Sequence, residues 1–405
     1  MKELWNRREL LSLLGGLSAA SLLPKPLAMA ANLITHTQNS EFKTKGFAIA
    51  DGRKEKGIGH GYAATREDQP GSIRLGNFAG THFKSFPTSF TPHQVVQNPG
   101  NIQHFFAIQK WGTNAVHLDV ASGKTTALPI PKGVNVFGHG AFSADLDKLY
   151  ISAMDYNKGR GTILVYDAKK ITLLGTQISN GLYPHDLQLA KDRKTHWISN
   201  VGRFSKSDSR KYDSTISQKS NLSRIDLESG QVLETHEASD FNGMSHFLNL
   251  DDHKFLSIGM QGKVDHGESP TTFAIFDNAQ VKNLAKSDAL LKNAYGESLS
   301  VRLIQGTREA LVTIPDCHKV VIVDIDKGQV LKVIDGVYFK AAIQLPDPNW
   351  LLLSPASGDT APFMLYSVKD KNINQLPVFY KSLAPEMHNW FGFGSHGTEI
   401  IWPFT

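Results

Sequence analysis

Five histidines spaced along this 405-residue chain are the side chains with the clearest potential for chemistry. Each stands near the start of an inferred β-strand, and they are His93, His139, His185, His246 and His388. Neutral imidazoles that converge on one point suit zinc, copper, iron or nickel. The sequence therefore predicts a transition-metal site, with iron, copper or zinc as the candidate ion.

Five polar residues are expected near the same site, because they fall on loops between the second and third strands of a repeated unit. They are Asp155, Arg160, Asn200, Gln261 and Asp316. Side chains of this kind orient ligating imidazoles or contact a bound molecule. Two other interpretations stay open. The histidines form purely structural hydrogen bonds, or they line a site for an anion or an organic ligand.

Several classes of function receive no support from the sequence. It contains no P-loop, no nucleophile elbow, no haem-attachment motif and no zinc-protease helix motif. The formal net charge of +5 is too small to predict nucleic-acid binding. The single cysteine, Cys317, cannot form an intramolecular disulfide, so the fold depends on its core, and we interpret this thiol as structural.

The elements that must position the histidines are clearest in the stretch 137–174. It is interpreted as four short strands at 141–143, 149–153, 162–166 and 171–174, with Gly138-His139-Gly140 opening the first. Short strands separated by turn residues are typical of all-β folds. The second and third strands are apolar on both faces, which predicts a sheet packed between two other sheets.

A strand that ends in aspartate recurs at intervals of roughly 45 to 60 residues, a period typical of propeller blades. The copies end at Asp119, Asp167, Asp226, Asp277 and Asp324. Inferred first strands begin near the five histidines and at Ser300 and Ala341, which makes seven. The sequence thus predicts an all-β, seven-bladed propeller in which the first strands line the channel and the histidines meet at one mouth.

The two ends of the propeller domain, residues 44–405, are expected to share a blade. The chain after His388 has room for about two strands, and residues 46–75 supply the missing outer ones. Pairing the two ends in one blade removes open sheet edges. A polar insertion at 204–220 is predicted to be a surface loop, with a lid or a docking loop for an acidic partner as the alternative.

The N-terminus predicts export. Arg7 and Arg8 precede a modestly apolar run to Leu23, and the small-residue site Ala28-Met29-Ala30 follows. A basic start, an apolar middle and such an end are typical of a removable signal. We interpret residues 1–30 as a twin-arginine signal peptide and 31–43 as a disordered lead-in. The mature protein is then a periplasmic monomer without a membrane span. An uncleaved anchor is the alternative.

The chain from about His93 to His388 resembles a family of exported bacterial proteins, the domain-of-unknown-function family numbered 1513. The motifs that carry the resemblance are 137–145 (FGHGAFSAD), Gly159-Arg160-Gly161, and Gly181 with Pro184-His185-Asp186. This chain departs from the family pattern at Ala153-Met154-Asp155 and Ser205-Lys206-Ser207, where only the aspartate matches. The resemblance implies a periplasmic propeller that is encoded alongside imelysin-type and di-haem proteins of iron uptake.

Three functions are compatible with these observations. The first is a metal-linked binding protein in iron or copper acquisition, with periplasmic iron-uptake proteins as partners. The second is an interaction scaffold with structural histidines. The third is a metal-dependent hydrolase or lactonase, which needs a carboxylate base. Asp155, Asp316 and Glu297 are its candidates. The lack of a catalytic constellation favours a binding protein over an enzyme.

Overall fold

Seven small antiparallel sheets are arranged in a ring and form a seven-bladed β-propeller, as predicted. The structure is a computed structural model. It describes residues 43–52, 70–78, 82–204, 213–237, 243–251, 253–259, 273–278, 280–284, 291, 300–315, 318–337, 339–355, 364–375 and 397–404. No helix within these ranges is long and apolar enough to cross a membrane. The predicted signal peptide and most of the lead-in lie outside the described residues.

Short strands make up most of the described chain. In chain order they are β1 (Lys45–Gly52), β2 (Gly71–Asn77), β3 (Phe83–Thr88), β4 (Gln94–Asn98), β5 (Asn101–Ile108), β6 (Lys110–Gly112), β7 (Ala115–Asp119), β8 (Lys124–Ala127), β9 (Val134–Phe142), β10 (Lys148–Asp155), β11 (Arg160–Asp167), β12 (Thr172–Ile178), β13 (Pro184–Leu189), β14 (Thr195–Asn200), β15 (Arg203–Phe204), β16 (Asp213–Ser217), β17 (Asn221–Asp226), β18 (Val232–Glu237), β19 (Met244–Asp251), β20 (Lys254–Gly259), β21 (Phe273–Asp277), β22 (Gln280–Asn283), β23 (Ser300–Leu303), β24 (Glu309–Ile314), β25 (Lys319–Asp324), β26 (Gln329–Asp335), β27 (Phe339–Gln344), β28 (Trp350–Pro355), β29 (Met364–Ser367), β30 (Asn372–Gln375) and β31 (Gly397–Ile401).

Each blade is a four-stranded meander whose strands follow one another in the sheet. Blade 1 is β4-β5-β7-β8, blade 2 is β9 to β12, and blade 3 is β13-β14-β17-β18. Blades 4, 5 and 6 are β19 to β22, β23 to β26 and β27 to β30. Blade 7 has the order β31-β1-β2-β3, and β6 adds a fifth strand to blade 2 beside β9.

The hydrophobic core lies between neighbouring blades. The middle strands β10 and β11 are buried at every position except their ends, which confirms the prediction from their apolar runs. Phe106 of blade 1 packs in one cluster with Leu149 and Leu164 of blade 2. Trp197 of blade 3 packs on Phe255 of blade 4, with ring centroids 4.6 Å apart. Each such side chain stabilises the fold by about 1.5–3 kcal/mol on burial.

The first strand of blade 2 begins earlier than predicted. It starts at Val134, whereas the sequence placed its start at residue 141, after the Gly138-His139-Gly140 run. The ladder between β9 and β10 pairs Ile151 with Gly140, skips residues, and then resumes with Ala153 opposite Val136. The glycines therefore mark an irregularity inside a long strand, and not its beginning.

The aspartates that end the third strands organise the turns that follow them. Asp167 at the end of β11 accepts hydrogen bonds from the backbone N–H groups of Lys169 and Lys170, at 2.9 and 2.8 Å. These bonds, above all the one from Lys170, hold the pKa of Asp167 below its usual range. The repeated aspartate in the sequence is thus a turn residue, and its position at the strand end confirms the predicted hairpins.

The polar insertion predicted at 204–220 contains part of a hairpin. Strand β16 pairs with β15 in a separate two-stranded sheet. The base of this hairpin is fixed by the backbone, since the N–H of Gln218 donates to the carbonyl of Gly202 at 2.7 Å. Residues 205–212 lie outside the described residues. Within the predicted insertion, residues 213–217 form strand β16.

Ring closure joins the two ends of the chain in blade 7, as predicted. β31 pairs with β1, and Phe47 lies opposite Glu399. The described C-terminal segment provides one strand of this blade, where about two were expected. The side-chain amide of Gln97 in blade 1 binds the backbone of Ile401 through two hydrogen bonds, here called the clamp. Gln97 Nε2 donates to the Ile401 carbonyl at 2.7 Å, and Gln97 Oε1 accepts the Ile401 N–H at 2.8 Å.

Replacing the clamp residue, Gln97→Ala, is expected to lower the free energy of unfolding by about 2 kcal/mol. The change removes two hydrogen bonds to the backbone of β31, each of which contributes about 1 kcal/mol net. Urea unfolding at pH 7.5 measures the effect. Gln103→Ala, on an exposed position of the neighbouring strand β5, is the matched control. Equal stability of the two variants would show that the clamp does not hold the seam.

His196 is a buried histidine outside the channel. It lies in β14 with its ring against Tyr150, at a centroid distance of 4.6 Å. Burial lowers the pKa of His196 to about 4, and the nearby Asp192 charge offsets this only in part. The folded protein therefore keeps this imidazole neutral at a pH where the unfolded chain, with a pKa near 6.5, already binds a proton.

This difference in pKa predicts a loss of stability in mild acid. As the pH falls below about 6.5 toward 4, proton uptake by the unfolded chain favours unfolding, and His196 accounts for about 2 kcal/mol of loss between pH 8 and pH 5. His196→Phe should remove that share. Urea unfolding at both values measures it, with His253→Ala, an exposed histidine, as control. An unchanged pH dependence in His196→Phe would contradict the assignment.

Candidate metal centre

Four of the five predicted histidines come together. His93, His139, His185 and His246, here called the histidine cluster, offer ligand atoms that all lie within 4.8 Å of one another. One comes from each of blades 1 to 4, and all are buried, with 0 to 5% of their surface exposed. His388 lies outside the described residues. The cluster could hold a metal ion.

The nitrogen atoms of three rings face each other. His246 Nε2 lies 3.2 Å from His185 Nε2 and 3.3 Å from His139 Nε2. A ring nitrogen carries either one proton or one lone pair, so His246 Nε2 cannot form good hydrogen bonds with both neighbours. A shared cation resolves this conflict because all three lone pairs then point at it. Nitrogens about 2.0–2.1 Å from a tetrahedral ion lie about 3.3 Å apart, close to the observed spacing.

Register shifts in the first strands of blades 2, 3 and 4 orient the histidine side chains toward one another. In blade 2 the three residues 137–139 stand opposite the single residue Ser152. In blades 3 and 4, register shifts occur at 184–187 and at 244–246. Bulges of this kind redirect a side chain, and they are over-represented next to active sites. Ser152 Oγ donates to the His139 carbonyl at 3.3 Å, which fixes the bulge that carries this ligand.

Gly138 makes room for His93. Its φ of +96° lies in a region that side-chain-bearing residues avoid, and a Cβ atom there would sit 2.3 Å from His93 Cδ2. The next glycine links the same two blades, since the Gly140 N–H donates to Gln94 Oε1 at 2.8 Å. The run Gly138-His139-Gly140 thus allows blade 2 to pack against His93 of blade 1.

Asp186 is the polar neighbour that the sequence reasoning missed. Its Oδ1 lies 3.6 Å from His139 Nδ1. Gln188 Nε2 donates to Asp186 Oδ2 at 3.0 Å and to the Phe247 carbonyl at 2.6 Å. Burial raises the pKa of Asp186 to about 7, although hydrogen bonds and Arg302 oppose the shift. The available signals were its place directly after His185 and its membership of the Pro184-His185-Asp186 motif.

The polar residues predicted beside the histidines have other contacts. Asp155 Oδ1 accepts the N–H groups of Asn157 and Lys158, so it caps its own hairpin. Asn200 Nδ2 donates to the Ser179 carbonyl at 2.9 Å and to Asn221 Oδ1 at 2.8 Å.

Arg160 pairs in register with Asp155 at the start of β11. Within the described chain, Asp155 is not part of the group of potential metal ligands. Gln261, Asp316 and Cys317 lie outside the described residues.

The fold and the cluster define the class: a seven-bladed propeller with four buried histidines from four consecutive blades. Residues 88–339 match the family model described as "Protein of unknown function (DUF1513)". The match covers more than half of the chain, and the chain belongs to this family. The resemblance inferred from the motifs of blades 2 and 3 is confirmed, although the matched region ends at 339.

Two solved structures are similar to this chain at low sequence identity. A chain of "Kuenenia stuttgartiensis Hydrazine Synthase" is 13% identical, covers 76% of this chain and 89% of its own, and has a TM-score of 0.54. A chain in "Crystal Structure of Mitotic Checkpoint Complex" is 13% identical, with 71% and 84% coverage and a TM-score of 0.48. The first similarity concerns the fold alone. No curated protein matches this chain.

Gly138→Ala is expected to displace the His93 ring and to weaken binding of zinc at least 10-fold, because one imidazole of the cluster then points elsewhere. Isothermal titration of the metal-free protein measures the affinity. Gly175→Ala in the same blade, where a Cβ meets nothing within 4 Å, is the control. Far-ultraviolet circular dichroism establishes that both variants fold. Wild-type affinity in folded Gly138→Ala would contradict the placement of His93 as a ligand.

Proposed function

We propose that this protein binds a transition-metal ion at the histidine cluster, with iron, copper or zinc as the candidates. The observation that carries the proposal is the approach of His246 Nε2 to two other Nε2 atoms, at 3.2 and 3.3 Å. Hydrogen bonding satisfies only one of these contacts well, whereas a common cation satisfies both. Imidazole nitrogen is a suitable ligand for each candidate ion.

The burial of the cluster favours an ion that stays bound. Every imidazole is at most 5% exposed, and the four ligands come from four separate blades. Release of the ion therefore needs displacement of at least one buried imidazole, which slows exchange with solvent. This supports a resident ion that the protein acquires as it folds. A cargo ion that is picked up and delivered quickly fits the geometry less well.

We place this function in the periplasm, in iron or copper acquisition with other iron-uptake proteins as partners. Support comes from the twin-arginine pattern at Arg7 and Arg8 and from the family context. The twin-arginine route carries folded proteins, and an ion bound during folding would be exported with the chain. Periplasmic location, the export route and the partners are all parts of the proposal.

The double variant His139→Ala with His185→Ala tests the metal proposal directly. We expect about one metal ion per chain in wild-type protein purified from its natural compartment, and less than about a tenth of that in the variant. Elemental analysis by mass spectrometry gives both values. His82→Ala with His253→Ala, two exposed histidines, is the matched control and should keep its metal. Wild-type protein with only traces of metal, unchanged in the double variant, would refute the proposal.

A scaffold function is the second candidate. Leu174 of blade 2 and Leu233 of blade 3 are each 55% exposed on the outer strands of neighbouring blades. Single exposed leucines are ordinary on protein surfaces, so they permit contact with a partner protein but do not by themselves indicate it. If the protein is a scaffold, the double histidine variant should lose stability without losing any ion.

A metal-dependent hydrolase or lactonase has less support. Among its three candidate bases, Asp155 caps a hairpin, whereas Asp316 and Glu297 lie outside the described residues.

A further inference from the structure

The described residues around the histidine cluster carry little charge. Four neutral imidazoles contribute no formal charge. In this part of the chain, Asp186 is the carboxylate beside a ring of the cluster, and its Oδ1 lies 3.6 Å from His139 Nδ1. This distance and the orientation of the ring place the carboxylate behind His139, on the side away from the facing Nε2 atoms. Asp186 therefore acts through the imidazole, without contacting the ion.

The position of Asp186 is held by contacts from two blades. Its backbone N–H donates to Ser199 Oγ at 3.0 Å, on the second strand of its own blade. Gln188 Nε2 donates to Asp186 Oδ2 and also to the carbonyl of Phe247, in the first strand of blade 4. Because both ends of this bridge are fixed, the carboxylate keeps its orientation toward His139.

The carboxylate lies 3.6 Å from His139 Nδ1, longer than a hydrogen bond, and its negative charge favours the tautomer with the proton on Nδ1. When Nδ1 carries the proton and faces Asp186, Nε2 keeps its lone pair and directs it toward the cluster. Ligating histidines usually have such a partner, and its removal typically weakens metal binding about 10–100-fold. Reversal of the tautomer would place a proton between the ion and the ring and would abolish ligation by His139.

The same carboxylate determines how much positive charge the site tolerates. A divalent ion with four neutral ligands leaves a net charge of +2, or +1 when Asp186 is ionised, and a trivalent ion leaves one unit more in either case. The cost of burying a net charge rises with the square of that charge. Arg302 of blade 5 lies close enough to interact with Asp186, and its positive charge acts further against a trivalent ion.

We propose that Asp186 is the positioning residue of the metal centre, and that the low charge of the described residues around the centre selects a divalent ion and rejects a trivalent one. This inference rests on the proposed function. Applied to iron, it assigns the ferrous state to the bound ion. The resident ion of the site is then a reduced or redox-inert divalent metal.

Zinc(II) and gallium(III), which do not change oxidation state, test the two parts of the inference. Metal-free wild-type protein and the variants Asp186→Asn and Asp186→Glu are titrated with zinc chloride and with gallium(III) citrate, and bound metal is counted after gel filtration. We expect wild-type protein to bind one zinc ion and no gallium. Asp186→Asn should bind zinc about 10–100-fold more weakly, and Asp186→Glu should recover part of the loss.

Nitrogen-15 spectra of labelled imidazoles supply a measurement that a merely structural role would not affect. In metal-free wild-type protein His139 should carry its proton on Nδ1, and in metal-free Asp186→Asn this preference should be lost. Asp155→Asn, a buried aspartate that caps a hairpin, is the control and should leave both affinity and tautomer unchanged.

The outcomes separate the two proposals. If wild-type protein binds neither ion, the metal site itself is wrong. Zinc binding that is equal in wild type and Asp186→Asn, with an unchanged His139 tautomer, overturns the assignment of Asp186 alone. Binding of gallium as tightly as zinc overturns the selection of a divalent ion and leaves the metal site standing.

Discussion

A histidine ring nitrogen can offer a proton or a lone pair, but not both, and much of this structure depends on that limit. His139, His185 and His246 direct Nε2 atoms at a common point in a buried part of the propeller. Mutual hydrogen bonding leaves one contact poorly satisfied, and burial makes an unsatisfied contact expensive. A cation removes the conflict at once. The arrangement is therefore hard to explain as a set of structural hydrogen bonds alone.

The propeller supplies the means for four distant segments to reach that point. Each blade places its first strand nearest the axis, and irregularities in three of these strands direct the imidazoles inward. The site also depends on the integrity of the ring. His93 immediately precedes β4, the strand from which Gln97 clamps the C-terminal strand β31. Blade 1, which supplies the first ligand His93, thus also supplies the Gln97 side chain that binds the C-terminal strand at the point of ring closure.

Much of the fold was predictable because the propeller repeats its local chemistry. Aspartates such as Asp167 bond the turns after third strands, so they mark each blade in the sequence. The approximate position of the histidines followed from the same periodicity. Start points of strands did not, since Gly138 and Gly140 lie inside β9 and not before it. A glycine in a bulge and a glycine in a turn look alike when only the sequence is available.

The surroundings of the cluster were harder to predict, because they depend on how each loop uses its own polar groups. Asp155 and Asn200 were expected beside the rings, but they bind backbone and side chains of nearby loops and strands. Asp186 was not singled out, because a residue that follows a ligand in a regular strand should point to the opposite face. The register shift between Pro184 and Leu187 breaks that alternation and turns it toward His139.

Anomalous X-ray diffraction from crystals of the protein purified in its native, metal-containing form tests the central claim most directly. Data collected on both sides of the absorption edges of iron, copper and zinc should show one strong peak among the four histidines. The peak should lie about 2.0–2.1 Å from the ring nitrogens if the ion is tetrahedral zinc. Ordinary density for a water molecule at that point, with no anomalous signal at any of the three edges, would contradict the account.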